Sequence, residues 1–216
     1  MKGLNTKYIP AVDELRAIAA LLVLFFHTTV TYFVFMGPEW VKATNPLKLI
    51  VFEGHLGVSL FFVLSGFIFT WATFKHVKLD LKNFYINRFL RIYPLFILVL
   101  LVTISAKRAE FDFVFFVQSL LGFGNYGNIP FYNDFISVLW TIAVELQFYL
   151  LFPWLLLLLK KNGPRALLGI VAVLTVMRFL VYQLGLDIND VIYWTLPGRL
   201  DQFLAGMLLA YIMMGN

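Results

Sequence analysis

Cysteine is absent from the 216 residues. That excludes a disulfide framework, thiol chemistry and any zinc site built on cysteine. Charge is scarce: 13% of residues are Asp, Glu, Lys or Arg, against about 25% in soluble domains. Internal repeats, low-complexity tracts and soluble linkers are missing as well. What is abundant is apolar surface. A chain that is 61% hydrophobic could not cover that surface in water, so it faces lipid. The 24 Phe, 10 Tyr and 5 Trp suit a bilayer with aromatic-rich interfaces. The net charge of +5 is no nucleic-acid signature, because the basic residues sit in particular short loops.

A helix needs about 20 mostly apolar residues to cross the hydrocarbon core. Six stretches qualify: 12–36, 54–74, 84–106, 134–159, 165–184 and 196–214. The expected fold is therefore an all-α, polytopic transmembrane helix bundle forming a single domain over 1–216. Arg16 and His27 interrupt the first stretch and no clean small-residue cleavage site follows it, so it reads as a permanent span rather than a signal peptide. The segment 111–123 is apolar but short, and is expected to be interfacial or re-entrant. Residues 122–134 (GFGNYGNIPFYND) form a turn-rich loop.

Orientation follows from Lys and Arg in the short loops. With six spans, one side collects Lys2, Lys7, Lys75, Lys78, Lys82, Arg88, Arg91, Lys160, Lys161 and Arg165. The other side holds only Lys42, Lys48, Lys107 and Arg108, beside Glu39, Glu53, Glu110, Asp112, Asp134, Asp187 and Asp190. The asymmetry predicts a cytoplasmic N-terminus. A seventh span at 111–123 would scramble it.

A charged side chain at mid-bilayer costs roughly 2.5–3.5 kcal/mol on insertion scales, so the ionisable residues within spans carry the information. Arg16 and His27 are eleven residues apart. At about 100° per residue they share one helix face, roughly 16 Å apart along the axis. Asp13, Ala20 and Thr31 fall near the same stripe. Arg16 can snorkel to the interface and His27 can be a hydrogen-bonded packing residue. His27 lies too deep to reach water that way, and histidine is the usual side chain for taking a proton from a hydroxyl near neutral pH.

In LWTIAVELQFYLLFP (139–153), the residues Thr141, Glu145 and Tyr149, with Ser137 before them, are spaced by four. They make one polar stripe on an apolar helix. Glu145 lies about eleven residues from the outer end of its expected span and His27 about nine from the end of its own. The two are expected at similar depth, where a carboxylate could orient an imidazole or simply join two helices. Arg88 and Arg91, in YINRFLRIYP (85–94), stand three apart on the basic side, with Pro94 expected in the first turns of that helix. They can form a forked phosphate site or be ordinary positive-inside decoration.

Arg199 and Asp201 enter the last span two residues apart, so each needs a partner elsewhere. Arg178 in the fifth span is a candidate for Asp201, and a structural ion pair is the reading. Gly54, Gly57 and Gly66, with Ser59 and Ser65, are expected to allow close helix packing. His55 lies at the outer boundary of its span.

Taken in order, these segments resemble the acyltransferase family 3 membrane proteins, which O-acylate bacterial surface glycans and some small molecules. The resemblance runs through nearly the whole chain. It rests on Arg16 and His27, on GVSLFFVLSGFIF from Gly57 to Phe69, on NRFLRIYP (87–94), on Trp140, Glu145, Phe148 and Tyr149, and on GRLDQFLAGMLLA (198–210). It implies that His27 is the catalytic histidine, with Arg16 below it and Glu145 near it. It implies that Arg88 and Arg91 recognise the phosphates of acyl-CoA at the cytoplasmic face. The acceptor would be the hydroxyl of a sugar or surface glycan, presented from outside or within a membrane cavity. The setting would be the inner, or plasma, membrane. Asn87 stands where the family often has another Arg. Family members usually continue through about four more spans, so a chain short at its C-terminus is expected.

An acyl thioester needs an activated hydroxyl and charge stabilisation rather than a metal, and no metal is expected. Two other readings stay open on the residues alone. A proton-coupled carrier would also use His, Glu, Arg and Asp within spans, though no inverted repeat supports it. An inactive, shortened homologue would keep the fold without turnover.

Overall fold

The computed structural model describes residues 9–36, 53–75, 79–106, 108, 111–126, 139–186 and 192–215. Seven α-helices lie among them: α1 Pro10–Met36, α2 Leu56–Thr73, α3 Leu81–Ala106, α4 Phe113–Leu120, α5 Trp140–Asn162, α6 Pro164–Gln183 and α7 Leu196–Met213. A 3-10 turn, Glu53–His55, leads into α2. A helix stands at each of the six expected positions. Among the described residues, α2, α3, α5 and α6 are long and apolar enough to cross a membrane. α1 carries Asp13, Glu14 and Arg16 in its first two turns, and α7 carries Arg199 and Asp201.

The chain divides into two compact units, Met1–Ala72 with Ala205–Asn216, and Thr73–Leu204. In the first, glycine brings helices into contact. A Cβ at Gly57 would press on the Ala19 carbonyl and lie 2.9 Å from Val23 Cγ2, and one at Gly54 would lie 2.8 Å from Phe26 Cβ. Gly206 sits against the backbone of α2 in the same way, where a Cβ would meet the Val63 carbonyl. Small residues thus do the close packing expected of them. Val12, Leu64, Phe67 and Ala210 form a core in this unit, flanked by Leu60 and Trp71. The side chain of His55 lies outside the described residues.

In the second unit α5 is the central element. Its Phe148 and Phe152 are fully buried. Phe148 stacks on Phe203 with ring centroids 3.9 Å apart, and Phe152 on Phe84 at 5.6 Å. Gly163 adopts a φ of 71°, which favours glycine. Pro164 follows as the first residue of α6, where its missing N–H costs least. This pair reverses the chain between α5 and α6.

Pro94 corrects one expectation. α3 begins at Leu81, so Pro94 stands mid-helix rather than in its first turns. Its ring leaves the Leu90 carbonyl without the usual donor, a defect that membrane helices tolerate through local adjustment. α4 has only eight residues, about 12 Å, too short to span. Asp112 caps it by accepting from the Phe115 N–H at 2.9 Å, and the Tyr93 hydroxyl donates to its Leu120 carbonyl at 3.0 Å.

Side-chain contacts sort the loop ends as the charge pattern does. Lys160 donates to the Thr73 carbonyl at 3.4 Å and lies 5.6 Å from the Phe74 ring centroid. The end of α2 at Thr73 and Phe74 and the end of α5 at Lys160 therefore share one end of this unit. At the other end of α5, Trp140 meets Tyr193 and Trp194.

Candidate active site

Arg16 and His27 lie on α1 in the first unit. Arg16 is half-buried and pairs with Asp13 one turn earlier, at 3.7 Å. The imidazole of His27 is half-buried, and its Nδ1 lies 2.8 Å from the Val23 carbonyl oxygen. A carbonyl can only accept, so Nδ1 is the protonated nitrogen in this contact. The neutral ring then keeps its lone pair on Nε2. Phe26 meets the ring edge-on at 5.3 Å. The backbone of α1 thereby fixes the orientation of the ring. Thr31 and the end of α1 carry side chains outside the described residues.

Glu145, Arg88 and Arg91 belong to the second unit. α5 is described from Trp140, with Glu145 five residues further on; the expected boundary at 134 lies outside the described residues. Ser137 lies outside the described residues. The period-four stripe holds over its next members: the Tyr149 hydroxyl donates to Glu145 Oε1 at 2.5 Å. Tyr149 is buried. The charges of Glu145, Arg88 and Arg91 all act on it.

Arg88 lies 6.0 Å from the Tyr149 ring centroid and 5.7 Å from that of Phe84. It is half-buried, whereas Arg91 is exposed. The sequence reading had both arginines at a cytoplasmic mouth. Arg88 packs against the Tyr149 ring of α5, because a guanidinium plane lies well on aromatic faces. Arg88, Tyr149 and Glu145 thus form one polar seam across α3 and α5.

A second polar cluster went unnoticed in the sequence. Gln147 and Asn125 are both buried. Gln147 Nε2 donates to the Gly122 carbonyl and to Asn125 Oδ1, each at 2.7 Å, and Asn125 Nδ2 donates to the Trp194 carbonyl at 2.8 Å. These bonds tie the turn at 121–126 and the segment 192–195 to α5. The only hint was an amide beside Glu145 and another in a turn-rich loop.

Asp201 finds the partner expected of it. Arg178 Nη1 donates to Asp201 Oδ2 at 2.9 Å, and Nη2 lies 2.8 Å from Oδ1. Arg178 also donates to the Gly198 carbonyl at 2.9 Å. Arg199 turns the other way, its Nε donating to the Tyr193 carbonyl at 3.0 Å.

A family model described as an acyltransferase domain matches residues 9–214. The peptidoglycan O-acetyltransferase OatA of Listeria monocytogenes is 31% identical over 236 aligned positions, covering 96% of this chain and 34% of that protein. The O-acetyltransferase OatA of Staphylococcus aureus is 28% identical, covering 98% of this chain and 36% of its own. The chain thus spans about a third of the length of the curated relatives it matches. No solved structure matches it. These matches favour acyl transfer over the carrier reading, and the chain belongs to the acyltransferase family 3 membrane proteins.

Proposed function

We propose that the chain carries the membrane-embedded step of an O-acyltransferase that moves an acetyl group from acyl-CoA to a hydroxyl of a cell-envelope glycan. His27 is the general base in this reading. The observation that supports it most is the Nδ1 contact with the Val23 carbonyl, which leaves Nε2 as a proton acceptor. Nε2 takes the acceptor's hydroxyl proton as the oxygen attacks the thioester carbonyl. The carbon–sulfur bond then breaks, and the departing thiolate takes the proton from the imidazolium.

Arg16 supplies positive charge on the same face of α1, about three turns away. Arg88 and Arg91 hold the phosphates of the donor, as guanidinium forks do. Glu145 stabilises positive charge that develops beside it. The N-terminus is cytoplasmic in the plasma membrane, so donor and acceptor arrive from opposite faces.

The test is His27→Gln in purified protein with labelled acetyl-CoA and extracted glycan. An amide keeps a hydrogen bond but cannot accept a proton near neutral pH. Turnover should fall by about 10²–10⁴-fold, with expression and acetyl-CoA binding retained. An active His27→Gln protein ends the general-base assignment.

A further inference from the structure

The corner between α5 and α6 is basic on the surface and apolar below. From Leu150 to Met177 the chain holds Lys160, Lys161 and Arg165 and no acid. Lys161 is exposed on the last turn of α5, and Arg165 is exposed on the first turn of α6. They flank the reversal at Gly163 and Pro164, where a Cβ on Gly163 would meet open space. Lys160 is held by the Thr73 carbonyl and the Phe74 ring, and it adds to the positive field at this corner. Like charge gathered in one place favours an anion beside it.

Each exposed cation ends an apolar stripe on its own helix. Trp154, Leu157 and Lys161 follow one another at steps of three and four, so they share a face of α5. Trp154 is 80% exposed and Leu157 65%, whereas Leu156 and Leu159 on the other side of the helix are buried. On α6, Leu168 stands three residues after Arg165 and is exposed as well. The indole of Trp154 belongs to a residue seven positions from Lys161, about 10 Å along the axis. That spacing suits a phospholipid, with its headgroup at the cations, its acyl chains starting below them and an indole near the boundary. A zwitterionic headgroup would bring a further cation to this corner, and an anionic one would not.

We infer that Lys161 and Arg165, with Trp154, Leu157 and Leu168, bind an anionic phospholipid. Its phosphate lies on the two cations and its chains run along the two stripes. Arg165 offers the phosphate a fork and Lys161 a point charge. The site uses neither Arg88 nor Arg91, so it does not depend on the acyl-transfer reading.

Binding is read by quenching. The whole chain is placed in phosphatidylcholine nanodiscs containing graded fractions of phosphatidylglycerol with brominated chains, or of brominated phosphatidylcholine. Bromine quenches tryptophan on contact, and subtracting the signal of Trp154→Phe isolates that of Trp154. Half-quenching should need about a tenfold lower fraction of phosphatidylglycerol, since each basic residue strengthens the attraction severalfold. Lys161→Gln combined with Arg165→Gln should bring the two lipids level. Lys82→Gln, on α3, should keep the preference. Equal quenching by both lipids in the native chain overturns the anionic assignment, even if the double variant does not fold. Loss of the preference in Lys82→Gln as well reduces the effect to diffuse surface charge and overturns the site. Absence of Trp154 quenching by either lipid means that protein covers the stripe, which overturns it too. Removal of the preference by free glycerol phosphate would make the corner a site for a soluble phosphate and overturn the lipid assignment.

Discussion

The Tyr149 hydroxyl donates to Glu145 across one turn of α5, at 2.5 Å, while Arg88 covers the Tyr149 ring from α3. Tyr149 is thereby the link between the carboxylate and the guanidinium. A phenol that bonds an acid and faces a cation couples the two, so removing it should disturb both. Tyr149→Phe and Glu145→Gln should each destabilise the protein, and the double variant should be less destabilised than the sum. A coupling of about 1–3 kcal/mol is expected, measured by thermal unfolding in detergent. Strict additivity would mean that the hydroxyl and the carboxylate act independently.

Arg88 and Arg91 should separate on mutation. Arg91 is exposed, so Arg91→Ala should raise KM for acetyl-CoA by about tenfold and leave thermal stability alone. Arg88 packs on Phe84 and Tyr149, so Arg88→Ala should raise KM and also lower stability. Lys161→Ala should do little to either. Identical behaviour of all three variants would reduce the basic segment to a topology signal.

The Arg178–Asp201 pair makes a prediction about stability. Asp201→Asn leaves the Arg178 guanidinium half-buried without its acid. The expected loss is about 1–3 kcal/mol, below the range for a fully buried pair because water still reaches both side chains. Leucine at both positions should recover most of it, since an apolar pair needs no desolvation. Thermal unfolding of the single and double variants decides this. A double variant as weak as Asp201→Asn would assign the pair a role beyond holding α6 to α7.

Two glycines should respond with opposite sign. Gly57 lies against Ala19 and Val23, and Gly169 on α6 has open space where a Cβ would go. Gly57→Ala should cost about 1–3 kcal/mol by overpacking. Gly169→Ala should gain about 0.5–1 kcal/mol through helix propensity alone. Equal effects in unfolding assays would show that the α1–α2 approach is loose.

The helices were readable because hydropathy over about 20 residues is a strong, local signal. The positions of Lys75 and Lys160 predicted that their loops share an end, and the contact of Lys160 with Thr73 and Phe74 agrees. The Arg178–Asp201 pair was legible because an ionisable residue in lipid must find a partner. Depth was harder. Pro94 was misplaced along its helix, since hydropathy blurs a boundary by several residues. The packing of Arg88 on Tyr149 was hidden because it joins residues 61 positions apart. Gln147 and Asn125 were missed for a related reason: neutral amides carry no charge to betray them.

The bond between His27 and Val23 has a consequence for inheritance. Its acceptor is a main-chain oxygen, present whatever residue occupies position 23. An orienting aspartate or glutamate can be lost by a single codon change. The tautomer of His27 cannot be lost that way, and it travels with the helix into any descendant that keeps the histidine and the turn before it.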